Sequence, residues 1–173
     1  MIHVIWITTA AMLAACLELA AGRFGLLIPF FLAVVFYFMI IYPASRILLL
    51  IAVFAVMLDL AFARSGIVTL GIAALTVYGA RLWNKHGDCH RQILQCVPGA
   101  ILGFVWCGGL IIVEKLMQEP LHWRTVGACV FLIVEAAVLG AVALPAVVIV
   151  MDTIAERLNL AEYRLVQRRG ERR

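Results

Sequence analysis

Apolar runs of about 20 residues recur along the whole chain, each closed by a short polar interruption rather than by a polar face at helical or strand period. The runs at 2–21, 25–42, 47–63, 66–82, 93–114 and 126–151 predict six helical membrane spans, the third and fourth of them short. The separators Gly22-Arg23, Pro43-Ala44-Ser45-Arg46 and Arg64-Ser65 are tight enough to force neighbouring spans into antiparallel hairpins. The stretch 47–82 has the length of one long tilted helix, but Arg64-Ser65-Gly66 at its middle predicts a turn.

Composition agrees with lipid as the main solvent. Of 173 residues, 65% are hydrophobic and 14% charged, with a mean hydropathy of +1.07, whereas an ordinary soluble domain is roughly 45–50% apolar. The net charge of +4 does not form a basic stripe on a soluble face, so a nucleic-acid partner is not expected. The basic residues lie between or after the apolar runs, where they set orientation and meet lipid headgroups. An even number of spans puts both termini on one side. With the termini inside, that side holds Arg46, Arg81, Lys85, Arg91, Arg157, Arg164, Arg168, Arg169, Arg172 and Arg173, against Arg23, Arg64, Lys115 and Arg124 outside. The expectation is a multi-pass protein of a bacterial inner membrane with both termini cytoplasmic. Leu13-Ala14-Ala15-Cys16 has the form of a lipoprotein cleavage box, but Met1-Ile2-His3-Val4-Ile5 lacks the basic start of a signal peptide.

Two units are expected: a six-span domain over 1–151 and a cytoplasmic amphipathic basic tail over 152–173. In the tail Ile154, Leu158, Ala161 and Leu165 recur at helical steps, while Glu156, Arg157, Glu162 and Arg164 face elsewhere. Its four terminal arginines each gain about 1 kcal/mol near anionic lipid; a plain topogenic stop and a docking helix for a cytoplasmic partner are the alternatives.

Candidate chemistry is sparse. Glu18, Asp59, Glu114 and Glu135 fall within or at the edge of apolar runs, where a charge costs roughly 2.5–3.5 kcal/mol at the bilayer centre and faces a partner, water or the bundle interior. All four gather in the outer half, bordered by Arg23, Arg64, Lys115 and Arg124, which predicts a polar recess open to the exterior with acid–base pairs at its rim. For Glu18 and Glu114 the simpler expectation is snorkelling to the interface. Asp59, Glu135 and Arg64 are the candidate binding residues. The cysteines Cys16, Cys89, Cys96, Cys107 and Cys129 form no CxxC pair, so neither a disulfide framework nor a zinc site is expected. The loop His86-Gly87-Asp88-Cys89-His90 lacks the spacing of a structural metal site and reads as a solvated cytoplasmic turn. No HExxH, GxSxG or phosphate-cradling glycine loop is present, and neither an enzyme activity nor a cofactor is expected.

Small residues recur four apart at Ala10 and Ala14, Ala11 and Ala15, Gly99 and Gly103, and Ala136 and Gly140. In lipid this spacing lets helix backbones approach closely, as an internal seam or as a contact for a partner, with Ala10, Ala14, Gly99 and Gly103 the candidate contact residues. Pro29, Pro98 and Pro145 are expected to kink their spans.

The stretch from Pro29 through Leu58-Asp59-Leu60, Gly66 and Gly71 to Arg81-Leu82, together with Leu144-Pro145 and the basic tail, resembles the MreD family of rod shape-determining membrane proteins. The chain departs from that family in having no glycine in Ala52-Val53-Phe54-Ala55-Val56-Met57 and few in the turn that follows. The resemblance implies a noncatalytic scaffold of the complex for lateral peptidoglycan elongation, with MreC-like, MreB-like, RodA and transpeptidase partners. It also implies a fold similar to the substrate-binding subunits of energy-coupling-factor vitamin transporters. A small-solute or vitamin-binding transporter subunit is the second reading of the residues, and an intramembrane enzyme the third.

Overall fold

The computed structural model describes residues 2–43, 47–64, 67–86, 92–116, 123–158 and 160. Each apolar run becomes a helix: α1 (Ile2–Arg23), α2 (Phe30–Ile41), α3 (Leu48–Ala61), α4 (Val68–His86), α5 (Cys96–Leu116) and α6 (Trp123–Arg157), with a short 3-10 turn at Gln92–Gln95 before α5. There is no strand among the described residues.

The sequence predicts the third and fourth spans as the short ones; in the structure α2 and α3 are short, at 12 and 14 residues, and α4 has 19. α1, α5 and α6 contain stretches long and apolar enough to cross a membrane, at His3–Arg23, Cys96–Val113 and Val126–Arg157. At a rise of about 1.5 Å per residue, the 12 residues of α2 and 14 of α3 reach roughly 18 Å and 21 Å, short of the roughly 30 Å hydrocarbon core. α6 is 35 residues long and runs without a break through residues 151 and 152. Residues 161–173, with Ala161, Leu165 and the terminal arginines, lie outside the described residues.

α2 is the centre of the bundle. Every residue from Phe31 to Ile40 is buried, and α1, α4, α5 and α6 all pack on it. A helix that is apolar all round can be enclosed on every side at no polar cost. The helices around it bury one stripe each. On α4 the stripe is Thr69, Ile72, Ala73, Thr76, Val77 and Ala80, at alternating steps of three and one, while Leu75 and Tyr78 point outward. Thr76 satisfies its own hydroxyl by donating to the Ile72 carbonyl at 2.9 Å.

The closest helix pair is α5 against α6, and the small residues explain why. A Cβ added at Gly103 would stand 2.0 Å from the Ala136 carbonyl oxygen, and one at Gly99 would stand 2.3 Å from that of Gly140. Gly99 meets Gly140 and Gly103 meets Ala136 in antiparallel register, so the Gly99/Gly103 face is occupied by α6 of the same chain. Of the three prolines expected inside spans, only Pro145 lies in a helix interior. Pro29 is the residue before α2, where its missing N–H costs no helical hydrogen bond, and Pro98 sits in the first turn of α5.

Candidate functional site

α1 and α3 end in the same way. After α1 the Leu26 N–H bonds back to the Ala21 carbonyl and the Gly25 N–H to Gly22, with Gly25 at φ 75°. After α3 the Arg64 N–H bonds to the Asp59 carbonyl and the Ala63 N–H to Leu60, with Ala63 at φ 49°. Both are Schellman turns, which need one left-handed residue; glycine fills that place in the first and alanine in the second.

In each hairpin an acid on the outgoing helix then caps the returning one. Glu18 Oε2 accepts the N–H of Phe31, the second residue of α2, at 3.0 Å. Asp59 accepts the N–H of Thr69, the second residue of α4, at 3.0 Å on Oδ2 and 3.2 Å on Oδ1, and the Thr69 hydroxyl donates to Oδ1 as well. Pro29 offers α2 no side-chain cap, so the Glu18 carboxyl of the neighbouring helix takes the role that Ser, Asp or Asn plays locally elsewhere. At α4 the Asp59 carboxylate also suits the positive end of the helix dipole.

Arg64 joins the second hairpin to α5. The Schellman turn folds it back beside Asp59, where Nη1 stands 3.4 Å from Oδ1 and donates to Thr69 Oγ1 at 2.9 Å. Its guanidinium lies over Phe62 and over Trp106 of α5, 4.3 Å and 4.7 Å from the ring centres, within the range of cation–π attraction. Glu18 is within electrostatic range of both Arg64 and Asp59. A Cβ at Gly22 would meet the Phe62 ring at 3.0 Å, so the first hairpin abuts the second at this end.

At Asp59 and Arg64 the expected recess has no open rim. The side chains of Arg64 and Asp59 are only 7% and 6% exposed, and Glu18 is buried rather than snorkelling to an interface. The acid–base pair is therefore an interior strut and not the rim of an open cavity. Glu135 stands apart on α6, half-buried, with no hydrogen bond or ion pair to another described residue. Arg23 is exposed at the end of α1. The side chains of Glu114, Lys115 and Arg124, and all of residues 87–91 in the His/Cys loop, lie outside the described residues.

Ala10 and Ala14 are buried on α1 and border an apolar groove of about 230 Å³ between α1, α2 and α6, whose walls include Trp6, Leu13, Val147 and Val150. A second polar contact escaped the sequence reading: the Tyr37 hydroxyl donates to Asp152 Oδ1 at 2.8 Å, tying α2 to α6. Asp152 follows the expected end of the last span by one residue, and Tyr37 sits in an unbroken apolar run. Only the continuation of α6 at helical period could have placed that acid inside.

Neither a family model, a curated protein nor a solved structure matches the chain. Fold and site together define an all-helical protein with three helices suited to cross a membrane and a buried acid–base cluster that closes its hairpins.

Proposed function

We propose that this chain is a noncatalytic scaffold of a bacterial inner membrane, crossing it six times with both termini in the cytosol, in a cell-shape complex of the MreD kind. The observation that carries this reading is the use to which Asp59 of Leu58-Asp59-Leu60 is put: its carboxylate is taken up by the start of α4 and by Arg64. An acid so engaged fixes how helices meet, as a scaffold requires. The resemblance to MreD supplies the setting, which is lateral peptidoglycan elongation with MreC-like, MreB-like, RodA and transpeptidase partners. In this reading the short α2 crosses enclosed by longer neighbours, and α3, which exposes Leu49, Val53 and Leu60, crosses by local thinning of the membrane. The alternative of a vitamin-binding transporter subunit places a solute in an outward recess, and the burial of Arg64 and Asp59 weighs against it.

Copurification from mild detergent tests the proposal. Wall-elongation proteins should accompany the wild-type chain, and Asp59→Asn should reduce that yield without affecting binding of any vitamin. Recovery of an ATPase module in their place refutes it.

A further inference from the structure

A buried carboxylate is tolerable when donors reach both of its oxygens, which together offer roughly four acceptor sites. Asp59 meets that demand through Arg64 Nη1, the Thr69 hydroxyl and the Thr69 N–H. Glu18, 4% exposed, does not. Its Oε2 has the Phe31 N–H, but Oε1 is buried with no hydrogen-bond partner among the described residues.

The charges of the cluster fail to balance as well. Among the described residues Arg64 and Asp59 are the charged groups that act on Glu18. With both acids ionised, two carboxylates face one guanidinium, and that guanidinium is already paired with Asp59. An uncompensated buried charge costs several kcal/mol even after relaxation. A metal ion is a poor remedy: hard cations take about six or more oxygens, Glu18 has one oxygen free, and no group of three or more His, Cys, Asp or Glu among the described residues is placed to hold one. A proton needs no cavity and removes the charge; the neutral O–H it forms costs less when unpaired than an uncompensated buried carboxylate does.

We propose that Glu18 is a proton-binding site: in the folded protein its carboxyl holds one proton on Oε1, Oε2 is the carbonyl oxygen that receives the Phe31 N–H, and the Glu18–Asp59–Arg64 cluster is neutral. The proton comes from water as the acid is buried, and the new O–H bond on Oε1 is the only covalent change in the protein. Asp59, better supplied with donors, keeps its negative charge. The inference rests on the geometry of the cluster and is independent of the partners proposed above.

Infrared spectroscopy of the full chain in detergent at neutral pH reads the proton directly. The difference between wild type and Glu18→Gln should show the carbonyl stretch of a protonated carboxyl, lost in the variant and displaced to lower frequency in D2O. A difference spectrum that shows loss of the paired stretches of an ionised carboxylate overturns the proposal. So does failure of Glu18→Gln to fold, because the amide is neutral and its carbonyl can receive the same Phe31 N–H; the expected midpoint of thermal unfolding is close to that of the wild type.

Discussion

Asp59 and Thr69 meet across the α3–α4 turn so that one carboxylate receives both the backbone N–H and the hydroxyl of the same threonine. The bond starts α4 and at the same time gives Arg64 a buried counter-charge. Replacing Asp59 by Ala removes the cap and leaves the guanidinium among apolar groups, a change that costs about 3–5 kcal/mol. Equilibrium unfolding in mixed micelles should record that loss. The double variant Asp59→Ala with Arg64→Met should be less destabilised than Asp59→Ala alone, because no orphan charge remains.

Ala63 occupies a left-handed position at φ 49°, where a Cβ is strained by about 1–2 kcal/mol. Ala63→Gly relieves that strain at an entropic cost in the unfolded chain, for a net gain of about 0.5–1 kcal/mol. A rise in the midpoint of unfolding would register it. Gly25→Ala, at φ 75° in the matching turn of α1, should change stability in the opposite direction by a similar amount.

How much of this was legible in the sequence depends on the kind of signal. The apolar runs located all six helices, because a run enclosed by turn residues is a one-dimensional pattern. The spacing of four at Gly99 and Gly103 and at Ala136 and Gly140 found both sides of the α5–α6 seam. The sequence predicts acid–base pairing at the outer ends of the spans without assigning partners; the structure pairs Arg64 with Asp59. What the sequence concealed is three-dimensional. Pro29 sits in an apolar run yet lies outside α2, because the Schellman turn after α1 uses up residues that hydropathy alone assigns to a span. Glu18 looked like an acid near a helix end; its partner is a backbone N–H 13 residues away, which no side-chain pattern announces. Tyr37 and Asp152 are 115 residues apart, and neither stands out in its own segment.

Gly103 tests the seam. Its Cβ position is 2.0 Å from the Ala136 carbonyl oxygen, backbone that cannot swing aside. Gly103→Ala must therefore push α5 from α6, with a loss of about 1–3 kcal/mol. Gly108 is on the same helix, with nothing within 4 Å of an added Cβ, so Gly108→Ala should be neutral or stabilise by up to about 1 kcal/mol through its helix propensity. Paired unfolding measurements on the two variants separate a packing effect from a general intolerance of substitution in α5. Equal losses in both would contradict close approach at the seam.

Arg64 holds Asp59 by charge and Phe62 and Trp106 by stacking, and the two contributions can be separated. Lys keeps the charge but is compact, strongly hydrated and unable to lie flat between two rings. Arg64→Lys should thus retain the ion pair and lose the stacking, at about 0.5–2 kcal/mol. Arg64→Met loses the ion pair and keeps most of the apolar contact with the rings; Asp59 then has only the Thr69 donors, and the cost rises to about 3–5 kcal/mol. If Lys and Met prove equally damaging, the planar guanidinium matters more than its charge, and the turn is held to α5 through Trp106 rather than through Asp59. In the expected order, with Lys mild and Met severe, the acid–base pair is the main tie, and Trp106→Leu in the wild-type background should cost no more than the usual loss for truncating a large core side chain, about 3–5 kcal/mol.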